Sequence, residues 1–325
     1  MTGATLATDA SPGFIALEGG DSRLEVVPQH GGRVRSLRLG GREWLLPDGA
    51  GLEPRAGIAP VEGAGWDECA PAAGGGTMPE WVKGVGGRPI PLGGEARTIV
   101  PEVSVRTGAE GHTVECQWRG ARLPWELHRT LLLRPDGALE ARYAAINTGT
   151  HRLPFLWSAH LLLPLTAATR VRLPDAARLR VSTLTGAAMA GDAGARAAKW
   201  PRLTLDGKLR DLSSPWSVPK RTLMHSWVDL SLGRSTIQVT QDDVQLSIST
   251  DGAGVPFCGV VIDRAGVRSG APRSRFGRGA RPALAIIPSL GAPDRFAEAL
   301  GDWQSVTWLV PGEPRRWTLT FRVGH

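Results

Sequence analysis

The sequence predicts an all-β protein, a large antiparallel sandwich with few short helices. Three observations predict it. Apolar residues alternate with polar ones at period two in run after run. The runs are separated by turn residues, with 42 Gly and 25 Pro among 325 positions, as turn-rich sheet proteins require. Helical periodicity is scarce.

In chain order, Trp125, Leu127, Leu131 and Leu133 share one face, with Glu126, His128, Thr130 and Arg134 on the other. Arg134-Pro135-Asp136-Gly137 reads as a turn, and Leu139, Ala141 and Tyr143 resume the pattern after it. Two such runs around a short turn predict a hairpin. Val244, Leu246 and Ile248 alternate with Gln245, Ser247 and Ser249. Trp317, Leu319, Phe321 and Val323 form the last apolar face. On a strand such alternation covers a core with one side and meets water or ligand with the other. Two short helices are expected. One spans Asp294 to Leu300, with Asp294 as cap; the other lies within Ala187 to Ala198, weakened by Gly191 and Gly194. No linker or internal repeat divides the chain, so residues 1–325 read as a single domain.

Composition narrows the class. Hydrophobic residues make up 42% and charged residues 21%, a balance that builds a core and argues against whole-chain disorder. The net charge is +7, but it is dispersed. Its tightest cluster, Arg268 to Arg281, reads as a solvated Gly/Ser/Pro/Arg loop. A polyanion-binding protein is the rival that this charge suggests; no aromatic RNA-binding signature accompanies it, which argues against nucleic acid. Three cysteines without C-x-x-C spacing make neither a disulfide framework nor a zinc ribbon. The start has no signal-peptide pattern, and no apolar run reaches the roughly 18 residues of a membrane helix. A cytoplasmic setting, without membrane contact, is expected. The seven histidines show no metal-ligand spacing. Gly74-Gly75-Gly76 lacks the Lys of a phosphate loop.

Several segments, in order, carry a resemblance. They are Leu24 to Val34, Gly65-Trp66-Asp67-Glu68-Cys69-Ala70-Pro71, Phe155 to His160, Phe257 to Val267, Ala283 to Asp294, and Leu309 to Glu313 with Trp317. Together they resemble the aldose 1-epimerase, or galactose mutarotase-like, superfamily, in a branch with a G-W-D-E-C-x-P motif. The resemblance implies an antiparallel β-supersandwich with a monosaccharide or sugar derivative in a concave face. It implies interconversion of sugar anomers by a base and an acid, with no cofactor and no metal. Proton transfer by positioned groups contributes about 10²–10⁴-fold.

Site residues follow from the resemblance position by position. His160 matches the acid. The pattern x-E-P-x-x-G-x-P-D places a glutamate base where this chain has Ile287, which cannot accept a proton. A second family histidine corresponds to Gly93. The base is therefore unassigned, with Asp67, Glu68, Glu95 and Asp263 as the carboxylates on offer. A carbohydrate-binding or regulatory protein without turnover is the alternative. Arg33, Asp67, Glu68, Trp157 and Asp263 are the candidate substrate-binding residues. Arg33 reads equally as a turn residue, and Trp157 either stacks on a sugar or belongs to the core. Asp67 and Glu68, being adjacent, cannot both face one sugar if their segment is extended. The sequence leaves the oligomeric state open.

Overall fold

The computed structural model describes residues 13–47, 64–174, 177–189, 197–231, 235–250, 254–264 and 282–324. Two large antiparallel sheets face each other. The larger has 13 strands and the smaller has 8. Across the larger sheet the order begins with Ile15–Gly19, Ser22–Val27, Arg33–Leu39, Trp66–Cys69 and Ser158–Pro164. It continues through Ala283–Ser289, Phe257–Asp263, Leu223–Asp229 and Arg178–Thr185, then three short strands ending at Lys208–Asp211. Strands near in the chain pair at both ends of this sheet, whereas at its centre Trp66–Cys69, Ser158–Pro164 and Ala283–Ser289, far apart in sequence, lie side by side.

The expected alternation is realised in the smaller sheet. Arg315–Gly324 buries Trp317, Leu319 and Phe321. Trp125–Leu133 pairs with Leu139–Asn147 in register, Leu133 opposite Leu139, around the predicted turn. Gly137 sits there at φ 79°, a conformation that glycine adopts without steric cost. The apolar faces of both sheets close on one another to form the core.

On the Trp125–Leu133 strand one inward position breaks the apolar pattern. Arg129 shares the face of Trp125, Leu127, Leu131 and Leu133, and it is fully buried. Its guanidinium meets Glu68 of the opposing sheet at 3.0 Å and donates to the Gly32 carbonyl at 2.6 Å. Tyr143 Oη donates to Glu68 at 3.0 Å and Trp157 Nε1 at 2.7 Å. The two sheets are therefore pinned by a buried ion pair whose carboxylate oxygens are all engaged, with Arg129 Nε the one atom of the pair left without a partner among the described residues. Burial pushes the Glu68 carboxyl up, against the pull of Arg129, Trp157 and Tyr143.

Helix is sparse, and neither expected helix forms as read. A short helix spans Phe296–Leu300 with Arg295 at its N-cap position, and Asp294 does not cap it. In the Ala187 to Ala198 stretch, residues 190–196 lie outside the described residues, and Ala197–Lys199 is a strand. The basic cluster Arg268 to Arg281 also lies outside the described residues. Among the described residues no helix is long and apolar enough to cross a membrane.

Candidate functional site

The Trp66–Cys69 strand is four residues long, and alternation splits its side chains between the two faces. Trp66 packs on Phe321 in the core, with ring centroids 5.2 Å apart. Glu68 enters the core beside it. Asp67 and Cys69 turn to the outer face of the larger sheet and line a cavity there. The same parity governs the neighbouring strand, where Ala159 and Leu161 enter the core and His160 and Leu162 turn outward. Register brings Asp67 directly opposite His160. On the next strand Ser158 opposes Ser289 and Leu161 opposes Ile286, which sets His160 across from Ile287. Ile287 in turn opposes Gly259, and Gly259 opposes Trp227.

The cavity measures about 270 Å³. Its polar lining is Asp67, Arg97, His160, His225 and Asp294, with Leu162 and Val261 as apolar wall. That volume lies near the lower edge of the roughly 300–1,000 Å³ typical of small-molecule pockets, and it suits one small ring rather than an oligomer.

Asp67 is locked. Arg33 holds both its oxygens, at 2.6 and 2.8 Å, and Arg97 Nε stands 3.2 Å away. Burial pushes the Asp67 carboxyl up, but the charges of Arg33 and Arg97 and the Arg33 hydrogen bond outweigh it, and the net direction is down. Arg33 is itself buried and serves to clamp this carboxylate. Both arginine charges are thereby spent near one aspartate.

On the far side of the cavity His225 Nδ1 lies 3.2 Å from Asp294 Oδ2. His225 Nε2 is buried without a partner. It sits over Gly259, where a Cβ would come within 3.2 Å of it and 3.1 Å of Ile287 Cβ. The ring therefore turns Nδ1 toward Asp294, while Nε2 is packed against the sheet. For Asp294, burial raises the carboxyl; the charge and hydrogen bond of His225, then His160, lower it further than that, and the net lies below the ordinary value of 3.8. For His160, burial lowers the imidazole, and Asp67 and Asp294 only partly oppose it, so the net lies below the ordinary 6.5.

The candidate residues from sequence divide cleanly. His160, Asp67 and, behind it, Arg33 gather at the cavity. Glu68 and Trp157 do not: both are fully buried between the sheets, facing away from it. Trp157 is core, packed on Tyr143 and Trp317 at 4.6 and 4.7 Å. The reason is parity, since both belong to the inward set on their segments. Asp263 ends its strand on the outward face of Val261 but does not line the cavity. Glu95 is buried, clasping Trp125 Nε1 at 2.9 Å and the Arg122 amide at 2.8 Å. Ile287 is fully buried in a small apolar cluster with Leu46, Leu162, Trp227, Ala285 and Ala292. Gly93 lines the cavity at φ 82°, and a Cβ there would overlap the Cδ and Nη1 of Arg97. Arg97 thus fills the space over this glycine.

Sequence reasoning missed Arg97, His225 and Asp294 as cavity residues. Asp294, a helix cap by its sequence context, instead sends its carboxylate to His225. His225 carried one signal: it is a polar residue on the outward face of a strand whose other face, Met224, Ser226 and Val228, is fully buried. Cys69 also lines the cavity, but burial pushes its thiol well up, so it is no nucleophile at neutral pH. Among the described residues no three His, Cys, Asp or Glu side chains converge to hold a metal.

Comparison with solved structures decides the architecture. A galactose mutarotase-like protein from Clostridium acetobutylicum superposes with a TM-score of 0.66 at 12% identity, over 96% of this chain and 95% of that one. The chain has the galactose mutarotase-like fold. The Slr1438 protein from Synechocystis sp. PCC 6803 shares it with a TM-score of 0.65 at 18% identity, over 100% of this chain and 99% of the other. A candidate aldose 1-epimerase from Escherichia coli K12 shares it with a TM-score of 0.62 at 17% identity, over 96% and 98%. No protein-family model and no curated protein matches the chain by sequence. At such identities the galactose mutarotase-like fold is shared, while chemistry must be argued from the site itself.

The site sets a pH dependence of stability. His160, Asp67 and Asp294 all have folded-state values below their ordinary ones. A depressed value means that the unfolded chain binds more protons, so stability is lost as pH falls. The stability these three groups contribute is expected to be full above 6.5, to decline as pH drops through the His160 range, and to decline again below 3.8, while the raised carboxyl of Glu68 acts in the opposite direction. Urea midpoints across pH will show this, and the first decline will flatten in His160→Gln. An acid decline of the same size in wild type and His160→Gln would contradict the assignment.

Proposed function

We propose that the chain binds a monosaccharide or sugar derivative in the cavity beside His160. The reaction read for that site is interconversion of sugar anomers, with His160 giving a proton to the ring oxygen. One observation carries the reading. A single-ring-sized cavity combines donors and acceptors with free hydrogen-bonding capacity and an apolar wall. The His160 imidazole makes no hydrogen bond to a described residue, and among the described residues Asp294 Oδ1 accepts none. A sugar presents hydroxyls that both donate and accept, together with apolar C–H faces, and it needs such a mixture. The descriptions of the fold relatives as mutarotase-like or aldose 1-epimerase point to the same class.

The test is titration with free aldoses and their 6-phosphates while following the His160 imidazole by NMR. The bound sugar is expected to shift that resonance, and His160→Ala is expected to weaken binding about tenfold, ~1.4 kcal/mol. No shift with any sugar would sink the reading. A second reading, a sugar-binding protein without turnover, is favoured by Ile287, whose burial among aliphatic residues removes any base from that position. Binding without faster anomer exchange would select it.

A further inference from the structure

We propose that Asp294 is the proton-accepting base of this site, in place of the residue at position 287. The inference rests on the sugar-isomerising reading above. It comes from asking what each carboxylate near the cavity is free to do. Glu68 faces the core, fully buried and bound to Arg129, Tyr143 and Trp157. Glu95 is held by a backbone amide and an indole. Asp263 does not line the cavity. Asp67 does, but two guanidiniums occupy it, and a carboxylate so held is a poor base.

Asp294 differs in its engagement, although its carboxyl, like that of Asp67, lies below its ordinary value. It lines the cavity, and its side chain is 27% exposed. One oxygen is oriented by His225, and the other is unengaged among the described residues. Its charge and that of His160 act on one another. Its side-chain partner is a single imidazole whose other nitrogen is packed over Gly259, so the ring holds one oxygen in place; among the described residues no guanidinium bonds the carboxylate, although the charge of the neighbouring Arg295 reaches it. His225 is therefore a positioning residue. Its buried ε-nitrogen has no route to a substrate, whereas the carboxylate does.

The chemistry balances without a co-reactant. Asp294 takes the proton from the C1 hydroxyl. The C1–ring-oxygen bond breaks as the C1 carbonyl forms, and His160 protonates the departing ring oxygen. The open-chain aldehyde turns about C1–C2. The ring oxygen then attacks the other carbonyl face, returning its proton to His160, while Asp294 returns its own to the C1 oxygen. Nothing is oxidised or reduced.

The test is exchange NMR of the α and β anomers of D-glucose, D-galactose and D-glucose 6-phosphate with wild type, Asp294→Asn, Asp294→Glu and His160→Gln. Binding of 1,5-anhydro-D-glucitol, which lacks the C1 hydroxyl, is measured beside it. Wild type is expected to accelerate exchange, and Asp294→Asn to lose about 10²–10⁴-fold while binding the anhydro sugar nearly as before. Asp294→Glu is expected to recover part of the rate and to move the acid limb of kcat/KM to higher pH, a shift that a purely structural role would not give. Retention of rate in Asp294→Asn within about tenfold, or no acceleration by wild type despite binding, overturns the assignment and leaves sugar binding standing. Loss of both rate and anhydro-sugar binding in Asp294→Asn, with no limb shift in Asp294→Glu, overturns it as structural. Failure of every sugar to bind wild type overturns both.

Discussion

Arg129→Met will lower the unfolding free energy by about 3–5 kcal/mol, because the change leaves Glu68 as a buried carboxylate without its cation. Arg129 and Glu68 both have 0% side-chain exposure, so neither charge is relieved by water. The Gly32 carbonyl loses its 2.6 Å donor as well. The penalty comes from the stranded partner and not from the worth of the pair. The double variant Arg129→Met with Glu68→Gln will therefore recover part of the loss, since a neutral amide still meets Tyr143 and Trp157. Urea denaturation of the three proteins near pH 7 measures this. A double variant as unstable as the single, or a single variant within about 1 kcal/mol of wild type, would refute the stranded-charge account.

Ile287→Glu will destabilise the protein by on the order of 3 kcal/mol and will not restore a base. Ile287 is fully buried beside Leu46, Leu162, Ala285 and Ala292 and does not line the cavity. A carboxylate there would replace dispersion contacts with an unpaired charge, and it would crowd the Gly259 gap where His225 Nε2 sits. The His225–Asp294 contact would be disturbed in turn. Thermal and urea midpoints, with anomer exchange on the same sample, check both halves. A variant that stays as stable as wild type and gains turnover would show that position 287 still opens to substrate.

The cavity lining and the inter-sheet lock share a structural origin. The G-W-D-E-C segment feeds two separate clusters because adjacent residues point to opposite faces. Asp67 faces the cavity and takes Arg33 and Arg97. Glu68 faces the core and takes Arg129. One motif thus orders a site on one side of a sheet and locks two sheets together on the other. Substitutions at 67 and 68 are expected to separate accordingly, the first altering ligand binding and the second altering stability.

The sequence by itself determined the sheet class, the strand runs, the 133–139 hairpin, and the separation of Asp67 from Glu68. These follow from local alternation and turn chemistry, which a chain carries in its own order. It also placed His160 and Ile287 at matching positions, and register then set them across from one another. Only the tertiary structure decided which carboxylate reaches the cavity. Asp294, His225 and Arg97 are far apart in sequence from His160 and from one another, and strand order alone brings their segments together. It alone also gave Arg129 its partner, because a charge on an apolar face is intelligible only once the opposing sheet is in place. Period two fixes the side from which a residue points; what it meets there is set by long-range packing.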